Sequence, residues 1–216
     1  MALRDVLGIP RVYSAFARFV GGDARGTYVQ EYVRPAAGSR VLDIGCGTAD
    51  ILDWLPVGVD YTGFDSSPAY IDAAKTRFGR RGHFYQAEVT AERARAFSGF
   101  DIVLANGVLH HLDDESAGHL LGIARLALRP GGRLVTLDGA YAPGQSSIAR
   151  MLLARDRGRF VRPANDYLVL AKRSFGSVSI DVRHDLLRIP YTLAIMECSD
   201  PPPPPPSPAA AARSVA

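Results

Sequence analysis

Two rhythms of apolar and polar positions alternate along the chain. Short apolar runs of strand length recur at Val41–Ile44, Tyr61–Phe64, His83–Gln86, Asp101–Ala105 and Leu134–Leu137. Segments with helical spacing lie between them. Thr48–Trp54 starts one helix. Ser67 caps the next, with Pro68 at its first position and Gly79 just past its end, and with Ile71, Ala74 and Phe78 on one face. Asp113 or Asp114 caps a third, whose buried stripe reads Leu120, Ile123, Ala124, Ala127 and Leu128. In the turn at 129–132 (RPGG), Pro130 and Gly131 suit the central positions of type II. Helical segments are expected at 145–157 and 165–173, and closing strands at Val178–Val182 and Leu193–Cys198.

This alternation predicts an α/β protein, a doubly wound three-layer Rossmann-like sheet, mostly parallel, with helices on both faces. Such sheets bind ligands just beyond the carboxyl ends of their strands. The positions to watch are therefore Asp43–Gly47, Asp65, Glu88, Asn106–His111 and Asp138. Residues 1–38 read as a helical lead-in or cap, 39–199 as the domain, and 200–216 as a disordered tail. The six consecutive prolines of that tail favour an extended rod over a packed core.

The glycine turn narrows the ligand. VLDIGCGTAD (41–50) has two glycines of a dinucleotide fingerprint, Gly45 and Gly47, but Asp50 stands at the third place and Asp43 precedes the turn. A carboxylate about 5 Å from a phosphate repels it by roughly 3 kcal/mol at an effective dielectric near 20. The bend suits a phosphate-free cation, and S-adenosylmethionine (SAM) carries both an ammonium and a sulfonium. On that reading Asp43 faces the cationic end, the glycines admit the methionine portion, and Asp65, 18 residues beyond Gly47, accepts the ribose hydroxyls.

Four stretches in order, VLDIGCGTAD, YTGFDSSPAYIDAAK (61–75), FDIVLANGVLHHL (100–112) and LRPGGRLV (128–135), resemble the motifs of the class I SAM-dependent methyltransferases, in particular the small-molecule branch. The resemblance spans about residues 40–139. It implies a seven-stranded sheet with an antiparallel last strand and S-adenosylhomocysteine as the product. It assigns Asp43, Gly45, Cys46 and Gly47 to the methionine side, Asp65 to the ribose, Ser66, Glu88 and Val89 to the adenine region, and Asn106 to the methionine amine. Ser66 stands where a larger apolar side chain often covers adenine, and Ala49 replaces a glycine.

Methyl transfer to a hydroxyl also needs somewhere for the proton to go. His111, after the fourth strand, is the expected base. Tyr13, His110, Asp138 and Tyr191 are expected to line the acceptor pocket, with Tyr167 and His184 as further candidates. An arginine run (Arg150, Arg155, Arg157, Arg159, Arg162) reads either as a clamp for an acidic acceptor or as a solvated face. The sequence N-G-V-L at 106–109 departs from the N/D-P-P-Y pattern of methyltransferases acting on nucleic-acid amino groups.

Composition bounds the rest. A net charge of +3 does not call for a nucleic-acid partner, and all basic residues but Lys75 and Lys172 are Arg, so local arginine clusters carry little weight. Cys46 and Cys198 form neither a disulfide framework nor a metal-binding spacing. No apolar run suggests a leader or a membrane span. The expectation is a cytoplasmic, metal-free enzyme that methylates a small-molecule acceptor at oxygen. The alternatives are a methyltransferase of RNA or protein, a non-catalytic partner protein of this fold, and a nicotinamide-dependent oxidoreductase.

Overall fold

A computed structural model describes residues 23–156 and 158–200. Tyr13, Arg157 and the proline tail after Asp200 lie outside the described residues. Helix α1 (Ala24–Tyr28) continues as a π-helical turn at Val29–Val33. Strands follow at β1 (Arg40–Ile44), β2 (Asp60–Asp65), β3 (Gly82–Gln86), β4 (Phe100–Asn106) and β5 (Leu128–Tyr141). They alternate with a single 3₁₀ turn at Asp50–Asp53 and with α2 (Pro68–Phe78), α3 (Ala91–Ala96) and α4 (Asp114–Ala127). The later elements are α5 (Ser147–Ala154), the two-residue β6 (Arg162–Pro163), α6 (Ala164–Ala171), β7 (Ser177–Arg183) and β8 (Leu193–Ser199).

The sheet runs β3-β2-β1-β4-β5-β8-β7, with β6 paired beside β5. The β1–β5 pairings are parallel, while β8 lies antiparallel to both β5 and β7. The expected fold and its antiparallel last strand are present. Strand order reverses between β1 and β4, so a crevice opens at their carboxyl ends.

Both faces of the sheet are buried, which explains why its strands read as continuous apolar runs. Leu42, Ile44, Val103, Ala105 and Leu134 face one cluster, with α4 and α6 packed over it. Val41, Ile102, Leu104, Val135 and Ile195 face the other, with Tyr28, Val33, Ile71, Ala74 and Phe78. Each fully buried Leu, Ile or Phe contributes about 1.5–3 kcal/mol.

Local signals hold closely at α2, where the Ser67 hydroxyl accepts from the Tyr70 N–H, and at α4, where the Asp113 carboxylate accepts from the Ser116 N–H at 2.8 Å. Three expectations change. The helix expected from Thr48 is only a 3₁₀ turn, cut short before Pro56 and Gly58. In α4 the inward leucine is Leu121, with Leu120 half-buried, because Ala117 rather than Leu128 completes the stripe. The 129–132 turn lies within β5 as an irregularity of its pairing with β4, and Gly131 there has φ +76°, as a type II turn requires.

Arg133 ties the N-terminal helix to this frame. Its guanidinium donates to the carbonyls of Tyr32 (2.7 Å) and Val33 at the end of the π turn, and also pairs with Glu197 on β8. Those carbonyls have no partner within the helix, and a cation at a helix end also complements its dipole.

Candidate active site

A cavity of about 410 Å³ opens at the carboxyl ends of β1, β4 and β5, a volume within the usual range for small-molecule sites. Its floor is the loop after β1 (Asp43, Gly45, Cys46, Gly47, Thr48), with Asn106 and Gly107 after β4. Ala24, Arg25 and Tyr28 of α1 form one wall. Leu186, Leu187, Ile189, Tyr191 and Leu193, from the β7–β8 connection and the start of β8, form another, and Asp156 joins them.

The β1 loop favours glycine at two left-handed places. Gly45 has φ +74°, and a Cβ there would lie 2.7 Å from the Val108 side chain; Gly47 has φ +55°. Ala49 is left-handed too (φ 54°), a conformation that glycine would adopt without the steric cost.

Asp43 is buried, and Tyr61 donates a hydroxyl hydrogen to its Oδ2 at 2.7 Å. Oδ1 is buried with no hydrogen-bond partner. Burial, and secondarily the nearby Asp65, raise its pKa to about 7 against the pull of Tyr61. A bare carboxylate oxygen on the cavity floor is a place for a cationic donor. Asp50, expected to add a second acid, is instead neutralised within the protein. Arg77 donates to its Oδ1 at 2.6 Å, and Arg25 lies 3.6 Å from Oδ2. The acidity of the bend therefore rests on Asp43.

Asp65 stands at the end of β2 and ties the loop together. Its Oδ2 accepts from the Gly47 N–H (2.9 Å) and its Oδ1 from the Ser67 N–H (2.8 Å). Asn106 accepts a hydrogen bond from the Tyr28 hydroxyl at 2.6 Å. The Tyr28 proton is held well above its ordinary pKa by burial, and then by Asp43 and Asp138. Burial likewise pushes the Cys46 thiol far up, so it is inert packing on the loop.

The second polar group is built on His110. A 3₁₀ turn at Leu109–His111 points this ring inward. Asp138 at the end of β5 accepts from its backbone N–H (3.2 Å) and meets its Nδ1 at 2.8 Å. Its Nε2 faces Asp156 Oδ1 at 3.8 Å. Asp156 also accepts from the Gly158 N–H (3.0 Å) and from the Tyr191 hydroxyl. Although burial opposes it, the bonds from Tyr191 and Gly158, with the two histidines, hold the Asp156 carboxyl below the ordinary range. The backbone at Gly158 packs on the imidazole so closely that a Cβ would lie 2.2 Å from His110 Cδ2.

Residues 42–134 match a family described as the methyltransferase domain. Over this segment the chain is similar to that family. The chain is 33% identical over 131 residues to the ubiquinone biosynthesis O-methyltransferase of Azorhizobium caulinodans, covering 59% of this chain and 46% of that protein. It thus spans under half the length of the curated relatives it matches. Among solved structures, the mitomycin 7-O-methyltransferase MmcR superposes with a TM-score of 0.66 at 20% identity, over 88% of this chain and 56% of that one. Human N-acetylserotonin methyltransferase in complex with SAM also gives 0.66, at 15% identity over 93% and 57%. The fold is that of the class I SAM-dependent methyltransferases.

Of the residues expected at the methyltransferase site, Asp43, Gly45, Cys46, Gly47, Asn106 and Tyr191 border the cavity. Asp65, exposed Ser66, exposed Glu88 and half-buried Val89 lie along the same sheet edge outside it; Ala87 N–H donates to the Asp65 carbonyl, so the β3 end abuts the β2 end. The largest correction concerns His111. It is exposed and does not border the cavity, and the buried imidazole between two carboxylates is that of His110. Asp138 acts from behind that ring. Tyr167 is structural, donating to the Gly139 carbonyl (3.0 Å), and the exposed His184 bonds Thr192.

The arginine run forms no clamp among the described residues. Arg150 stacks on Tyr141, and Arg155 and Arg159 are exposed. Arg162 is buried, donating to the carbonyls of Leu109 (2.9 Å), Phe160 (3.0 Å) and Leu112 (2.6 Å) and to Asp114. It fastens the 156–162 segment over the His110 turn. Sequence reading missed Arg25, Tyr28, Asp156 and Leu186–Ile189, whose only local signal was a tyrosine-bearing helix and an apolar hairpin end. Among the described residues, no helix is long and apolar enough to cross a membrane, and no three His, Cys, Asp or Glu are placed to hold a metal.

Proposed function

We propose that this protein is a SAM-dependent methyltransferase acting on a small-molecule acceptor at oxygen. The observation that carries the reading is Asp43, whose buried, partnerless Oδ1 borders the cavity floor beside a glycine loop. SAM fits this donor set: its ammonium supplies the missing donor, and Gly45 and Gly47 leave room for its methionine portion. Asp65 would receive the ribose hydroxyls through lone pairs left over from its two backbone bonds. Glu88 and Val89 would reach the adenine. SAM supplies an activated methyl group on sulfur, and the protein's task is to align an acceptor with it and keep water out.

The likeness to O-methyltransferases of small molecules supports oxygen as the acceptor atom. The apolar wall supports a small organic acceptor over a macromolecule. We infer a reducing, cytoplasmic setting from two free cysteines held as thiols, and we propose that the reaction uses no metal. Calorimetry with SAM, S-adenosylhomocysteine and NAD tests the reading. Binding of the first two and not the third is expected; binding of NAD alone would overturn it.

A further inference from the structure

The far end of the cavity carries a feature that cofactor binding does not use. Asp156 is a carboxylate bordering the cavity that Leu137, Leu186, Ile189 and Leu193 also line. Three supports fix it: the Tyr191 hydroxyl, the Gly158 N–H and the imidazole edge of His110. Behind it, Asp138 locks His110 through both its backbone N–H and Nδ1, so Nε2 is the ring atom turned toward Asp156. Asp138 Oδ2 is itself buried without a partner. Held by these donors, Asp156 borders the cavity as a fixed, ionised hydrogen-bond acceptor.

Resting on the proposed methyltransferase reading, the geometry assigns Asp156 as the catalytic residue that receives the acceptor's hydroxyl. It assigns His110, held by Asp138, as the positioning residue that takes up the proton behind it. The acceptor class is an apolar body bearing one weakly acidic hydroxyl, such as a phenol. The acceptor oxygen bonds to the methyl carbon as the carbon–sulfur bond breaks, and that electron pair returns to sulfur. The hydroxyl proton passes to Asp156 and on to His110 Nε2, where the Asp138 carboxylate on Nδ1 stabilises the imidazolium that forms. The 3.8 Å gap between Asp156 and Nε2 is about 1 Å beyond a hydrogen bond, within reach of one side-chain adjustment. Tyr191 holds Oδ2 and the Gly158 N–H holds Oδ1, and the second lone pair of each carboxylate oxygen serves for the transfer.

The test uses two probes on the full chain, 4-propylphenol, neutral at pH 7.5, and 4-nitrophenol, largely ionised there, with S-adenosylhomocysteine release as the readout. The wild type is expected to methylate both. Asp156→Asn should lose at least 100-fold in kcat with 4-propylphenol but less than 10-fold with 4-nitrophenol, which brings no proton to remove, and should bind SAM within twofold of wild type. His110→Gln should show the same split at about 10-fold. Equal losses on both phenols, or no loss, would refute the assignment. So would wild-type turnover of 4-propylbenzylamine in place of the phenols, or no turnover of any probe by protein that binds SAM. Failure to bind SAM at all would instead refute the methyltransferase reading.

Discussion

Tyr61 donates its hydroxyl hydrogen to Asp43 across the β1–β2 pair and so satisfies one carboxylate oxygen while the other stays bare at the cavity floor. The arrangement holds a carboxyl group ready for a cation yet lets it stay partly protonated near neutral pH, since burial raises its pKa to about 7. A cationic ligand binds the ionised form, so SAM affinity should rise several-fold from pH 6 to pH 8. Calorimetry across that range checks it. Asp43→Asn should weaken binding at least tenfold at pH 8 and flatten the profile.

The same residue predicts a stability trend. Its folded pKa lies above the unfolded value of 3.8, so between about pH 4 and pH 7 the folded state holds a proton that the unfolded state has lost. Its contribution therefore favours folding at low pH, declines as pH rises through this window, and is constant above it. Asp43→Asn should raise Tm more at pH 8 than at pH 5, read by thermal melts in the absence of ligand.

Asp65 serves both the loop and the proposed ribose. Asp65→Ala removes acceptors from the Gly47 and Ser67 N–H groups and should weaken SAM binding more than tenfold. Asp65→Asn keeps one carbonyl oxygen and should fall between the two. Equal affinities for wild type and Asp65→Ala would remove the ribose assignment.

Gly45→Ala meets two penalties, a left-handed backbone at φ +74° and a Cβ 2.7 Å from Val108. A loss of about 1–3 kcal/mol is expected by urea denaturation. Val108→Ala in the same chain should recover the steric part and leave the backbone part.

The segment over His110 is fastened by Arg162. Arg162→Met would remove the guanidinium donor from the Leu112 carbonyl and one of two donors from the Leu109 carbonyl, which keeps the Leu112 N–H, at a cost of about 1–3 kcal/mol if the Leu112 carbonyl stays buried. Gly158→Ala should instead displace the imidazole, its Cβ falling 2.2 Å from the ring, and lower kcat with SAM affinity kept. His111→Ala, on an exposed side chain, should leave SAM affinity unchanged.

What the sequence determined by itself is the alternation of the main strands and helices, the cap at Ser67, a cap at Asp113 or Asp114 that the structure places on Asp113, and the glycine loop after β1. These are local: a period of two or 3.6, a side chain reaching a backbone three residues on, a backbone angle that favours glycine. Placing ligand chemistry at strand ends also follows from the alternation, because a parallel sheet aligns those ends. Only the tertiary structure decided which charges face the cavity. Asp50 looked like part of an acidic bend until Arg77, 27 residues later, folded onto it. His110 and His111 are neighbours that only their surroundings distinguish. Their rings lie 4.2 Å apart, yet His110 is buried and His111 is exposed. Tyr28, Asp156 and the Leu186–Ile189 wall come from segments far apart in the chain that carry no shared pattern; Arg133 ties the first segment to the sheet, Arg162 ties the second to the loop after β4, and the β7–β8 connection carries the third.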